Sequence, residues 1–371
     1  MLILKTEPSR FLAALQDVLG AVERRHTLPI LSNVLLRKSG ATLTLTTSDL
    51  DLQISTRAEL GGDDGTVATT VAARKLADIL RALPPDATAS LSHRAGKLQL
   101  QAGKSRFTLH TLPAQDYPMA QEAADLAPPV ALPQPLFRSL LAQVAFAMAV
   151  QDIRYYLNGV LLALDGHDIR MVATDGNRLA LAQATVDADL PKTEVILPRK
   201  AVQELLRLLR DDAPASSPLQ MRLAPAQARF DLNGTELVTK LIEGKYPDYR
   251  RVIPANATQQ LTLPRDVLQA GLQRTALLAN ERFKAVTLQL EAGMLRLSAS
   301  NAEHEEASEE IAVQHDGPPL QIGLNVAYVL DLLAQTHADT VTLALRDAQS
   351  AVLFTVAAQP GFCYVVSPLR I

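Results

Sequence analysis

Three short stretches of this chain stand 126 positions apart and read alike: Leu43-Thr-Leu-Thr-Thr-Ser-Asp49, Ile169-Arg-Met-Val-Ala-Thr-Asp175 and Leu295-Arg-Leu-Ser-Ala-Ser-Asn301. In each, apolar and polar residues alternate and run into a small hydroxyl residue followed by Asp or Asn. Alternation predicts a strand with one buried face, and the Ser/Thr-Asp/Asn ending is turn chemistry. Solenoid repeats recur every ~20–50 residues. A period of 126 therefore predicts a repeated domain, present three times.

Other landmarks keep nearly the same offset. Phe11 and Phe137 lie in predicted first helices, Ser9–Val22 (with Ser9 as N-cap) and Pro135–Val150. Arg74-Lys75 and Arg199-Lys200 open predicted second helices, Arg74–Leu83 and Arg199–Arg210, the former stopped by Pro84-Pro85. Tyr117-Pro118 recurs as Tyr246-Pro247. In the third copy the helices are predicted over Pro264–Leu278 and Asn325–Gln335. Strands are predicted at Leu31–Leu36, Leu43–Ile54, Lys97–Gln101, Arg106–Thr111, Ala228–Leu232, Glu236–Leu241, Val341–Leu345 and Val352–Val356, with a turn at Gly61–Gly65. The fold class is α+β, in domains spanning 1–125, 129–254 and 258–371.

A chain of 371 residues, 48% hydrophobic and 20% charged, has enough apolar surface for several cores. One cysteine excludes an internal disulfide and suits a reducing cytoplasm. The N-terminus has no signal layout and no apolar run approaches the roughly 20 residues of a membrane span, so a cytoplasmic protein is expected. Catalytic constellations are missing. Gly103-Lys104-Ser105 ends like a phosphate-binding loop, but its context is alternating strand. The seven histidines are scattered and one cysteine cannot build a zinc site, so no metal or cofactor is expected. Asp49 and Asp51, on one strand face, suggest a turn plus a solvated carboxylate rather than a cation site. The cluster Glu303, Glu305, Glu306, Glu309, Glu310 reads as a solvated face or a docking patch.

Binding chemistry is better represented. The second helices of copies one and two carry Arg74, Lys75 and Arg81 against one Asp78, and Arg199, Lys200, Arg207 and Arg210 against one Glu204. Repeated side by side, such helices make a positive surface within a molecule of net charge −3, suited to phosphate backbone without base reading. Aromatic content of 4% with no Trp argues against stacking on single strands, so duplex is favoured.

Several motifs together resemble one family, the bacterial DNA polymerase III beta subunits or beta sliding clamps, nearly end to end. They are Thr27-Leu-Pro-Ile30, Arg74-Lys75, Gln151-Asp-Ile-Arg-Tyr-Tyr-Leu-Asn-Gly159, Val172-Ala-Thr-Asp-Gly-Asn-Arg-Leu179, Pro198-Arg-Lys200, Tyr246-Pro-Asp-Tyr-Arg-Arg-Val252 and the tail Tyr364–Ile371. The resemblance implies three clamp-type domains of two helices and antiparallel sheets. Two copies would close head to tail into a six-domain ring on duplex DNA, a non-catalytic tether for the polymerase. A heterologous interface can close in this way. By position, Arg25 and Gln151 are implied DNA contacts, with Arg74, Lys75, Arg199 and Lys200 beside them; a helix C-terminal cap is the alternative for Gln151. A pocket for linear motifs of the replicative polymerase, clamp loader, translesion polymerases and mismatch-repair proteins is implied as well. Its positions are Leu157, Thr174, Gly176, Asn177, Arg178, Leu179, Pro247, Arg251, Val252, Val365, Val366, Ser367, Pro368, Leu369 and Arg370. Aliphatic walls would bury a partner's Leu or Phe, while a last core strand is the alternative for Val365-Val366. Lys104, Arg106, Phe107 and Leu109 of copy one are implied to meet Leu277, Leu278, Glu303, Glu305 and Glu306 of copy three across the dimer. Asn177 replaces a His, and Ser367 and Leu369 replace Met, of the best-known members; an altered ranking of partner affinities is expected. The rival reading is a triplicated peptide-binding adaptor that never encircles DNA.

Overall fold

A computed structural model describes residues 1–23, 27–94 and 96–370. Among the described residues the α-helices are α1 (Pro8–Val18), α2 (Ala73–Ala82), α3 (Gln134–Ala145), α4 (Arg199–Leu208), α5 (Arg265–Ala276) and α6 (Val326–Gln335). They fall two per copy, as the repeat predicts, with trimmed ends. α1 buries Phe11, Ala14, Leu15 and Val18, one stripe at helical spacing. It opens on Pro8 rather than on a Ser9 cap, because proline's fixed φ suits the first helical position. It also stops four residues early and tightens into a 3-10 turn, Leu19–Ala21. A Cβ on Gly20 would lie 1.8 Å from Glu204 Oε2, so the Glu204 carboxylate lies directly over this glycine. α6 begins as expected, with the Asn325 side chain accepting from Ala327 N at 2.9 Å.

The chain divides into two compact units, Met1–Pro135 with Gln203–Leu241, and Leu136–Val202 with Ile242–Ile371. Neither coincides with one repeat, because antiparallel ladders run from copy to copy inside each unit. In the first unit a 12-stranded sheet includes the pairing of Leu52–Glu59 (copy one) with Thr235–Lys240 (copy two), Ile54 opposite Leu237. In the second, a 6-stranded sheet pairs Arg178–Pro198 (copy two) with Phe362–Val366 (copy three), Ala180 opposite Tyr364. Each ladder satisfies backbone donors and acceptors that burial would otherwise strand. The second unit also holds a 4-stranded sheet with Glu306–Ala312 at its edge.

Strand expectations hold in place but not always in extent. Leu31–Leu36 begins as a 3-10 turn, Pro29–Ser32, before the strand Asn33–Ser39. Leu43–Ile54 is two strands, Thr42–Ser48 and Leu52–Glu59, broken at Leu50, whose φ is 81°. Asp49 and Asp51 therefore share no strand face. Asp49 Oδ1 accepts from the amides of Asp51 and Leu52, and Asp51 pairs with Lys240 at 2.9 Å.

Candidate functional site

The second copy of the repeated turn is built from its own short side chains. Asp175 Oδ1 accepts from Asn177 N at 2.9 Å and Arg178 N at 3.0 Å, while Thr174 Oγ1 accepts from Gly176 N at 3.1 Å. Gly176 has φ 91°, a left-handed conformation that glycine adopts without steric cost. Ser367 N then donates to Asn177 O at 2.8 Å, fastening the turn to the end of the last strand.

Beside this turn lies a cavity of about 170 Å³ with mostly apolar walls. Ten of the expected pocket residues line it: Leu157, Thr174, Gly176, Asn177, Arg178, Leu179, Pro247, Val252, Val365 and Ser367. Its floor is a buried cluster that includes Leu157, Val172, Leu179, Tyr246, Tyr249 and Val365. Five expected residues lie elsewhere. Val366 is fully buried, since successive residues of a strand face opposite sides. The Arg251 side chain is 85% exposed and pairs with Asp248 at 3.0 Å. Pro368, Leu369 and Arg370 line a second cavity of about 870 Å³, which shares Ser367 and includes Gln321, Gly323 and Ala351. The tail is drawn there because Leu369 N donates to Gly323 O at 2.8 Å.

Sequence reasoning missed Arg154, Tyr156 and Tyr249 in the wall. The signal was present: Tyr249 is three residues before Val252 in a 3-10 turn, and the other two sit in the Gln151–Gly159 motif. Arg154 closes one rim. Its guanidinium grips Asp152 through Nε (3.0 Å) and Nη2 (2.8 Å), and Nη2 also donates to Asp175 O at 3.0 Å. These hydrogen bonds hold the Asp152 carboxyl down at about 2.

Arg178 serves the frame of the cleft. It pairs with Asp175 at 3.1 Å and with Asp331, donates to Phe146 O at 2.8 Å, and stacks 4.6 Å from the Tyr328 ring centroid. Burial works against its charge, but Tyr364, Asp331 and Asp175 outweigh that and raise its pKa. Burial likewise pushes the Tyr364 hydroxyl up, and the Cys363 thiol to about 11.

Of the implied DNA contacts, Arg25 lies outside the described residues. Gln151 is exposed in a bend with φ 53°, and α3 ends at Ala145, so it is not a helix cap. Lys75 is exposed and Lys200 half-buried. Arg74 donates to Val22 O at 2.7 Å and Arg199 to Met148 O at 3.2 Å, so both combine charge with a structural bond. Arg81 pairs with Asp78 and Arg207 with Glu204, which reduces the free charge those helices present.

Of the implied dimer residues, Lys104, Arg106, Glu303, Glu305 and Glu306 are exposed, Phe107 and Leu278 half-buried, and Leu277 is 81% exposed. Leu109 is buried within its own chain, so its side chain has little left to offer a partner. The acidic cluster is partly spent: Glu309 pairs with Arg274 at 2.6 Å and Glu310 with Arg296 at 2.9 Å.

Three family models match in succession: the DNA polymerase III beta subunit N-terminal domain over residues 2–121, the central domain over 131–248 and the C-terminal domain over 250–370. The chain is 42% identical over 361 residues to the beta sliding clamp of Pseudomonas putida, covering 97% of each. It is 38% identical over 365 residues to that of Vibrio cholerae, covering 98% of this chain and 99% of the relative. Among solved structures, the Pseudomonas aeruginosa sliding clamp bound to griselimycin superposes with a TM-score of 0.95 at 39% identity, covering 100% of both chains. With three successive domain matches and near-complete coverage by clamp sequences and clamp structures, this chain belongs to the DNA polymerase III beta subunit family, the beta sliding clamps.

Proposed function

We propose that this protein is a non-catalytic processivity factor of the cytoplasm. Two copies would close head to tail around duplex DNA, and the cleft beside Thr174–Leu179 would hold short linear motifs of the replicative polymerase, the clamp loader, translesion polymerases and mismatch-repair proteins. The observation that carries the peptide reading is the apolar cavity walled by Leu157, Leu179, Val252 and Val365, with polar backbone at its rim. Gln151, Lys75 and Lys200, with Arg25, are the residues proposed to touch phosphates in passing, without reading bases.

Unfinished strand pairing supports the closure. The copy-to-copy ladder occurs twice inside the chain, once in each unit. Its third acceptor, Glu306–Ala312, is an edge strand. Its third donor, Ser105–Leu112, meets Thr66–Ala72 only at Thr111 and Leu112, leaving Ser105–His110 with one unpaired edge among the described residues. Inward-facing pairs define the register: Ile54 opposite Leu237 and Ala180 opposite Tyr364 correspond to Ala307 opposite Phe107. That register places Glu310 beside Lys104 and Glu306 diagonal to Arg106, opposite charges that favour this pairing over a slipped one. An Ala307→Cys/Phe107→Cys double variant is expected to give a covalent dimer on mild oxidation; single-chain bands only would reject the register.

Retention on DNA tests the function. The protein, loaded onto nicked circular plasmid with a clamp loader and ATP, is expected to persist on the circle and to fall off once the plasmid is cut. Equal retention on both forms would mean ordinary affinity and favour an adaptor that does not encircle DNA.

A further inference from the structure

The first unit contains the same turn, bond for bond. Ser48 Oγ accepts from Leu50 N at 3.1 Å, as Thr174 does from Gly176. Asp49 Oδ1 accepts from Asp51 N at 3.0 Å and Leu52 N at 2.7 Å, as Asp175 does from Asn177 and Arg178. Lys240 N donates to Asp51 O at 2.8 Å, the distance of the Ser367–Asn177 bond. Gln53 stands opposite Val238, where the second unit has Leu179 opposite Val365. A cavity opens here too, of about 270 Å³, larger than its counterpart. Space is therefore not what separates the two clefts.

Chemistry separates them, at three places. Where the second turn has Gly176 at φ 91°, the first has Leu50 at φ 81°, a strained backbone for a side chain with a Cβ. Leu50 is 44% exposed and lines the cavity. In place of the apolar Leu179 wall stands Gln53, 5% exposed, whose Oε1 accepts from Ala120 N at 2.9 Å. Gln227 adds a bond to Gln121 O at 2.9 Å and one from Ala123 N at 3.1 Å, so two glutamines strap residues 120–123 along the cleft. At the mouth, neutral Asn177 and Ser367 are replaced by Asp51 and Lys240, joined at 2.9 Å.

We infer that the first-copy cleft is a peptide site of the same construction, closed to apolar motifs by Leu50, Gln53 and the Asp51–Lys240 pair. These side chains thus set one peptide site per chain. An apolar side chain pressed against Gln53 would cover an amide without replacing its hydrogen bonds, and displacing the strap would leave Ala120 N without its acceptor. Seating a chain across the mouth would also strip water from Asp51 and Lys240 with no new partner for either. In the second cleft Leu179 stands in place of the glutamine, and neutral Asn177 and Ser367 in place of the Asp51–Lys240 pair. The inference rests on the peptide-pocket reading of that second cleft, and its test separates the two.

The experiment counts sites for a fluorescein-labelled peptide ending in Leu-Phe, titrated by anisotropy at protein concentrations well above the dissociation constant. Wild type is expected to bind one peptide per chain. A Leu50→Gly/Asp51→Asn/Gln53→Leu/Lys240→Ser variant is expected to bind two, the new site within about tenfold of the first. One site in both folded proteins would overturn the inference and leave the pocket reading standing; two sites in wild type would overturn it as well. No binding to wild type would overturn the pocket reading and the inference with it. Should the fourfold variant not fold, Asp51→Asn/Lys240→Ser replaces it, with a weaker second site expected and a single site refuting.

Discussion

Two turns of one backbone design, Ser48–Gln53 and Thr174–Leu179, border clefts of different polarity, one mixed and one mostly apolar. Asp49 and Asp175 organise them through the same amide bonds, and each is fastened to a neighbouring copy's strand through one carbonyl at 2.8 Å. One cleft has an apolar wall, Leu179 and Val365; the other keeps Val238 at the position of Val365 but puts Gln53 at that of Leu179, with Gln121, Gln227, Asp51 and Lys240 around it. The backbone frame thus determines where a cleft forms. A handful of side chains decides what it will accept.

The comparison breaks most visibly if the second wall is given first-copy chemistry. Leu179→Gln removes a buried Leu side chain worth about 2 kcal/mol and buries an amide costing about 1–3 kcal/mol more. Peptide affinity is expected to fall roughly 100-fold, with a matching shift in urea midpoint; unchanged affinity would mean that Leu179 is not part of the binding wall. Next comes Arg178→Leu, which copies Leu52. It leaves Asp175 without its ion pair and removes the stack on Tyr328. Because Asp331 is half-exposed, the expected loss is about 2 kcal/mol, below that for a fully buried pair. A loss under about 0.5 kcal/mol in urea unfolding would show that the strut is dispensable.

Leu50→Gly runs the other way and is smaller. Relief of the left-handed strain is offset in part by the greater freedom of glycine in the unfolded chain, so a gain of about 0.5–1 kcal/mol is expected by thermal melting. A loss would mean that the Leu50 side chain packs more favourably than its exposure implies. The smallest effect is a titration. Arg154 lowers the Asp152 carboxyl to about 2, against an unfolded value of about 3.9. A depressed folded pKa gives stability that is complete above the unfolded value and lost as pH falls through the folded one. Carbon-detected NMR should place the Asp152 midpoint near 2, and removing Arg154 should return it toward 3.9. A midpoint already near 3.9 in wild type would break the Arg154 clasp at the rim.

Much of this was legible before any coordinates. The 126-residue period, the helix positions and the turn chemistry are local properties, written in spacing and residue type. Most of the pocket followed from motifs in which Leu157, Thr174, Leu179 and Pro247 are close in sequence to a turn or a strand end. The tail marks where local reading stopped. Val366, Pro368, Leu369 and Arg370 belong to the same tail as Val365, yet strand alternation sends Val366 into the core and the bond to Gly323 draws the rest to another cavity. Alternation is itself a short-range pattern, and the core-strand alternative for Val365-Val366 already contained it; the bond to Gly323 is a long-range contact that no such pattern encodes.

By itself the sequence determined that this chain is three copies of one α+β element, each with an Asp- or Asn-centred turn, because those signals need only neighbours within a few residues. The tertiary structure alone decided how the copies share strands, and hence why compact units and repeats fall out of step. It also decided that Gln53 and Leu179, 126 residues apart, face equivalent clefts and make one of them more polar than the other. Each cleft wall is assembled from strands and turns far apart in the chain, so its polarity is a property of the assembled surface and of no single stretch.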